Sequence, residues 1–100
     1  MEQNLNDLRE RIDHIDSQLV DLLKQRMAVS RDVALYKRKN GLPTLDAGRE
    51  RVLLAKVGAE AGEELADYTE SVFRAILAVG RSYQNQCGGV KSQVYETIRT

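Results

Sequence analysis

The 100-residue sequence has no tryptophan and only one each of phenylalanine, proline, cysteine and histidine. Each scarcity removes a class of protein. A solitary Cys87 cannot build a disulfide framework, and it suits a reducing compartment, so a cytoplasmic location is expected. His14 and Cys87, each alone, make no metal-ligand cluster and no Ser/His/Asp or Cys/His arrangement for a covalent nucleophile. No glycine-rich loop is present to cradle a phosphate. No apolar run approaches the roughly 18 residues of a membrane helix. The opening MEQNLNDLRE is polar and acidic, unlike a signal peptide. Fifteen basic residues against fifteen acidic ones leave no net charge, without the basic excess of nucleic-acid-binding domains. Neither nucleic acid nor membrane is an expected partner. Few aromatics and no β-branched clusters argue against a sheet protein.

What is present is helical. Apolar residues make up 42% of the chain and charged residues 30%. In the first forty residues Leu5, Leu8, Ile12, Ile15, Leu19, Leu22, Val29, Val33 and Tyr36 recur at alternating steps of three and four, as in a coiled-coil-like seam. Asn4 or Asn6 is placed to cap this helix, and Asn40-Gly41 followed by Pro43 to end it. Such a helix of about 35 residues would exceed 50 Å at about 1.5 Å per residue, longer than a globule of this size is wide. Its overhanging seam needs a partner, so a homodimer is expected. A monomer of this length buries only about 60–65% of its unfolded surface, which points the same way. A second helix is expected from Asp46, its N-cap, with Arg49, Val52, Leu53, Lys56 and Val57 along one side. Gly58 and Gly62 are expected to bound a break. A third helix is expected over 63–86, with a stripe of Leu65, Tyr68, Val72, Phe73, Ile76, Leu77 and Gly80, ended by Gly88-Gly89. Residues 1–86 thus read as one all-α, three-helix domain. Residues 87–100 read as a linker or tail, either a frayed helix or a lead into further sequence.

A few residues break the pattern. The seam asks for an apolar side chain at position 26 and meets Arg26, costly to bury unless paired. It is either paired with a carboxylate, directed to the edge, or part of a binding site. Lys37 lies eleven residues on, three turns plus about 20°, so both cations share a face about 16 Å apart. They bracket a gap fit for a small anion, although Lys37 could equally be a solvated member of the run KRK. Arg9 is about 25 Å from Arg26 and turned by about 100°. It can meet a ligand of Arg26 only from an antiparallel partner helix. Asp46, Arg49 and Glu50 cluster at the start of the second helix. Gln84 turns an amide inward on the stripe of Phe73, Leu77 and Gly80. Gly80 leaves room either for a ligand or for close helix packing. Cations around a neutral amide suit a compact dianion better than a metal.

These residues carry a resemblance. LRERIDHIDSQLVDLLKQR (8–26), YK (36–37), GLPTLDAGRER (41–51) and FRAILAVGRSYQ (73–84) make residues 5–86 similar to the small all-α chorismate mutases, a domain often found at the N-terminus of bifunctional chorismate mutase–prephenate dehydratases. The resemblance implies two long first helices crossing in an intertwined homodimer. It implies rearrangement of chorismate to prephenate without cofactor or metal. It implies Arg26 binding a substrate carboxylate, Arg9 arriving from the other subunit, and Lys37 and Gln84 bonding the ether oxygen. Glu50 would accept from the ring hydroxyl with Asp46 nearby, and Arg49 would support the carboxylate network. Some members have a serine where this chain has Gly80, so one donor to the substrate is lacking here. Fusion to prephenate dehydratase in a longer chain is a further implication. Alternatives are an isochorismate pyruvate lyase or a mutase of the amino analogue on the same fold, or a non-catalytic helical dimer module. A non-catalytic coiled-coil module would gain stability from Arg26→Leu.

Overall fold

In the computed structural model, which describes residues 4–87, the chain forms three α-helices. Helix α1 spans Leu5–Lys39, α2 Ala47–Ala61 and α3 Ala66–Cys87. There is no strand among the described residues. Helices α1 and α2 begin where side-chain chemistry directs them. Asn4 caps α1 by accepting from the Asp7 backbone N–H at 2.9 Å, satisfying one of the orphan donors of the first turn. The basic Lys37, Arg38 and Lys39 occupy the last turn, where the helix dipole favours positive charge. Asn40 is the C-cap and Gly41 takes φ +67°, so the chain reverses into the short connection that carries Thr44. Asp46 caps α2, its carboxylate accepting from the Arg49 backbone N–H at 3.0 Å.

Two expected boundaries move. Gly58 does not break α2; it lies buried within it, with Glu70 of α3 so close that a Cβ at Gly58 would fall 2.7 Å from its Oε1. The glycine serves helix proximity, and only Gly62 ends the helix. Residues 63–65 form a turn, in which the Leu65 N–H donates to the Gly62 carbonyl at 3.1 Å. Helix α3 therefore starts three residues later than the sequence pattern suggests and extends to Cys87. The Gly88-Gly89 stop and the tail reading fall outside the described residues. Gly62 has φ +87° and ψ 162°, a region essentially reserved for glycine. Nothing lies within 4 Å of its missing Cβ. Gly62→Ala is thus expected to destabilise the protein by about 1–3 kcal/mol through backbone strain alone, read as a lower denaturation midpoint at unchanged slope.

Helix α3 is the middle element, packed on α1 along one side and on α2 along the other. The subunit's interior is thin. Val57 is the one buried hydrophobic side chain among the described residues, joined by Gly58, Gly80 and Ser82. On α2 the apolar side chains of Leu53, Leu54 and Val57 are covered, together with Gly58, whereas Val52 and Lys56 face outward. On α3 the expected stripe divides. Phe73, Ile76 and Leu77 are half-buried, while Leu65, Tyr68 and Val72 are exposed, because α2 covers the start of this helix on another side, where Gly58 meets Glu70 and where Ala66, Thr69 and Glu70 are half-buried. On α1 all nine seam residues are exposed. The surface totals 8203 Å², against about 5,700 Å² for a compact monomer of this mass. The radius of gyration is 16.5 Å, where a compact chain of this length has about 13 Å. No helix of the described residues is long and apolar enough to cross a membrane.

Candidate active site

The three helices border an open cavity of about 290 Å³ between the C-terminal half of α1, the first turns of α2 and the C-terminal half of α3. Seven of the eight residues singled out from the sequence line it: Arg26 and Lys37 from α1, Asp46 at the α2 cap, Arg49 and Glu50 from the first turn of α2, and Gly80 and Gln84 from α3. Val29, Val33, Leu53 and Leu77 supply apolar wall. Arg9 is the exception. It is exposed near the free end of α1, about 25 Å along the helix axis from Arg26, and does not reach this cavity.

Arg26 is half-buried and has no carboxylate partner among the described residues. Of the readings open at the sequence level, a pairing with a carboxylate of the described residues is therefore not the one found. Its Nη1 lies 3.6 Å from where a Gly80 Cβ would be, an ordinary contact distance. Gly80 is buried, and the guanidinium lies across it. A serine or alanine would fit without displacing backbone, so helix packing does not demand glycine there.

Lys37 and Gln84 are each tethered to a backbone carbonyl. The Lys37 ammonium donates from Nζ to the Thr44 carbonyl at 2.8 Å, which excludes the freely solvated lysine. The Gln84 amide donates from Nε2 to the Ser30 carbonyl at 3.2 Å. An ammonium has three donors and a primary amide two, so each group is held in place while keeping donor capacity for a ligand. The amide orientation follows from its bond to a carbonyl, which only the NH₂ can make.

Glu50 does not stand alone at the α2 end. Arg81 donates from Nη1 to both carboxylate oxygens at 2.5 Å, with both side chains about three-quarters covered. Arg81 was missed at the sequence level, although a signal existed. It follows Leu77 by four and precedes Gln84 by three, placing it on the inward face of α3. Arg26, Lys37, Arg49 and Arg81 together outweigh Asp46 and Glu50 by two formal positive charges, so the cavity matches a dianion. Arg49 is exposed at the rim. No group of histidine, cysteine, aspartate and glutamate among the described residues is arranged to hold a metal ion. His14 lies exposed on α1.

Residues 8–85 match the family described as Chorismate mutase type II. Among curated proteins, the chain is 26% identical over 88 residues to a chorismate mutase of Methanocaldococcus jannaschii, covering 86% of this chain and 89% of that one. It is 33% identical over 98 residues to a T-protein of Haemophilus influenzae, covering 94% of this chain but 26% of the T-protein. A 3-dehydroquinate dehydratase of Pyrobaculum aerophilum is 43% identical over 51 residues, 51% of this chain and 17% of that protein. This chain thus spans about a quarter of the T-protein it matches and nearly all of the Methanocaldococcus protein. No solved structure matches it.

Proposed function

The chain belongs to the chorismate mutase type II family of isomerases in aromatic amino acid biosynthesis, and from that premise we propose that it rearranges chorismate to prephenate in the cavity between α1, α2 and α3. The observation that carries the site assignment is Arg26, a half-buried guanidinium that faces the cavity and has no acidic partner among the described residues. Such a charge is costly without a counterion, and a substrate carboxylate supplies one.

The reaction is an intramolecular [3,3] shift. The ether carbon–oxygen bond breaks as a carbon–carbon bond forms between the enolpyruvyl arm and the ring, within one molecule. It calls for no nucleophile, no proton relay and no cofactor, in keeping with the scarcity of histidine and cysteine. The protein must fold the arm over the ring, which the two substrate carboxylates allow if they are gripped. Arg26 grips one with its planar fork, and Arg49 supports the carboxylate network. As the ether bond lengthens, negative charge grows on its oxygen. Lys37 and Gln84 then donate to that oxygen more strongly than in the ground state. Their tethers to Thr44 and Ser30 mean that little reorganisation is needed when the charge appears. Glu50 accepts from the ring hydroxyl, near Asp46.

The same reading includes a homodimer in which two α1 helices cross antiparallel and intertwine, bringing Arg9 of one subunit to the second carboxylate in the other's cavity. The exposed seam from Leu5 to Tyr36 and the surface excess over a compact monomer support it. It also includes a cytoplasmic location and fusion of such a domain to prephenate dehydratase. The T-protein similarity, in which 98 matched residues are 26% of the relative, supports a place for this domain within longer chains.

Purified protein mixed with chorismate is the direct test: loss of its absorbance with prephenate as the chromatographic product is expected. Intact chorismate, or release of pyruvate from isochorismate instead, would overturn the proposal. Gln84 adds a prediction about pH. An amide donates at any pH, so the wild-type profile is expected to be broad through neutrality. In Gln84→Glu the side chain donates only when protonated, and a carboxyl ordinarily titrates near about 4.3. Its kcat should therefore climb as pH falls towards that range, and a profile superimposable on wild type would remove Gln84 from the ether oxygen.

A further inference from the structure

Glu50 presents the acidic end of the cavity, where the ring substituent of the substrate sits in the proposed function on which this inference rests. A lone carboxylate there would be a poor judge of that substituent. It accepts a hydrogen bond from a neutral hydroxyl, but it attracts an alkylammonium more strongly, because opposite charges add a Coulomb term that the hydroxyl lacks. In this protein the carboxylate is not alone. Arg81 holds both of its oxygens from one guanidinium nitrogen, in a pair only 29% and 22% exposed. The nearest other ionic pair among the described residues, Lys56 with Glu60, is a surface contact at 3.9 Å on α2. The Arg81–Glu50 link therefore spans α2 and α3 inside the cavity wall.

Two consequences follow from that geometry. The carboxylate is fixed in direction, since rotating it would break two charge-assisted bonds. Its charge is also neutralised locally while lone pairs remain for one more donor, because an ionised carboxylate has about four acceptor sites. An acceptor without net charge welcomes a neutral donor and gives a cation little, and the guanidinium next to it repels one.

We propose that Arg81 is a positioning and specificity residue, acting through Glu50 so that the site takes a hydroxyl-bearing ring and turns away its ammonium-bearing analogue. It does not touch the reacting atoms. Its effect is on which dianion or zwitterion is admitted and on how firmly the hydroxyl acceptor is held.

The test uses chorismate as substrate and 4-amino-4-deoxychorismate as competitor, so that the analogue's affinity is read as an inhibition constant even where it is not turned over. The variants are Arg81→Gln, Arg81→Lys and Arg81→Met. The last keeps the apolar stem against α2 and serves if the glutamine variant folds poorly. For Arg81→Gln and Arg81→Met the ratio of the analogue's inhibition constant to the KM for chorismate is expected to fall by about tenfold, with most of the change in affinity and less in kcat. Arg81→Lys, which keeps the charge, is expected to restore most of the wild-type ratio. An active wild type with an unchanged ratio in both Arg81→Gln and Arg81→Met would overturn the inference and leave the mutase reading intact. A lysine variant no better than glutamine would also overturn it, because local charge would then not be the cause. A wild type that leaves chorismate untouched would instead overturn the proposed function.

Discussion

Arg26→Ala and Lys37→Ala are each expected to lower kcat/KM for chorismate by a hundredfold or more while leaving the protein folded. Removing one preorganised donor to a developing oxyanion typically costs about 10²–10³ in rate, about 2.7–4 kcal/mol. Lys37 is placed to be such a donor: its ammonium is anchored on Thr44 at 2.8 Å and has two N–H groups left. Its loss is expected to fall mainly on kcat, since the ether oxygen carries little charge before the bond breaks. Arg26 is expected to act on KM as well, because it holds a carboxylate in ground and transition states alike. The two variants should differ from ordinary core defects in stability. Arg26 has no acidic partner among the described residues and shares its cavity with Lys37, Arg49 and Arg81. Truncating it relieves repulsion, so its melting temperature should hold or rise. Activity within tenfold of wild type in either variant, or a collapse of stability in parallel with activity, would remove that residue from the catalytic role.

Mixing two inactive variants is expected to recover activity. If Arg9 serves its partner's cavity, Arg9→Ala and Arg26→Ala homodimers each have two damaged sites. In a heterodimer of the two, one site collects both defects and the other has none. Random exchange makes about half of all dimers mixed, so roughly a quarter of the sites are intact, as the symmetry of a two-fold assembly requires. Recovery to about that fraction after partial unfolding and refolding together would place Arg9 across the interface. No recovery, with dimers verified by light scattering, would confine each site to one subunit. A protein that sediments as an active monomer would overturn the dimer altogether. Physical pressure favours the first outcome: Ile12, Ile15, Leu19 and Leu22 are all more than half exposed in the single subunit, and such an apolar face is costly to leave in water.

Much of the architecture was legible because it is local. A spacing of three and four from Leu5 to Tyr36 defines α1 without reference to the rest of the chain, and Asn4, Asp46 and the Asn40-Gly41 pair mark termini through side-chain and backbone chemistry acting within one turn. Arg26 stood out in the sequence because it violates a repeat, and it lines the cavity. The misplaced boundaries have the same origin. Gly58 and Gly62 are alike as sequence signals, but one is enclosed by Glu70 and the other takes φ +87°, a distinction that depends on where α3 lies.

The sequence by itself determined three helices, their caps, and the residue types of a cationic cavity, since helical periodicity and capping are properties of neighbours along the chain. Only the tertiary structure decided which charges meet. It placed Lys37 on the Thr44 carbonyl, Gln84 on the Ser30 carbonyl and Arg81 on Glu50, contacts across seven to 54 positions of sequence. It also decided that Leu77 is covered while Tyr68 is not. Those outcomes follow from the crossing of α3 over α1 and α2, set by the path of the two short connections and by close approach at Gly58. A periodic pattern specifies which face of a helix is apolar but not which stretch of that face another helix will reach.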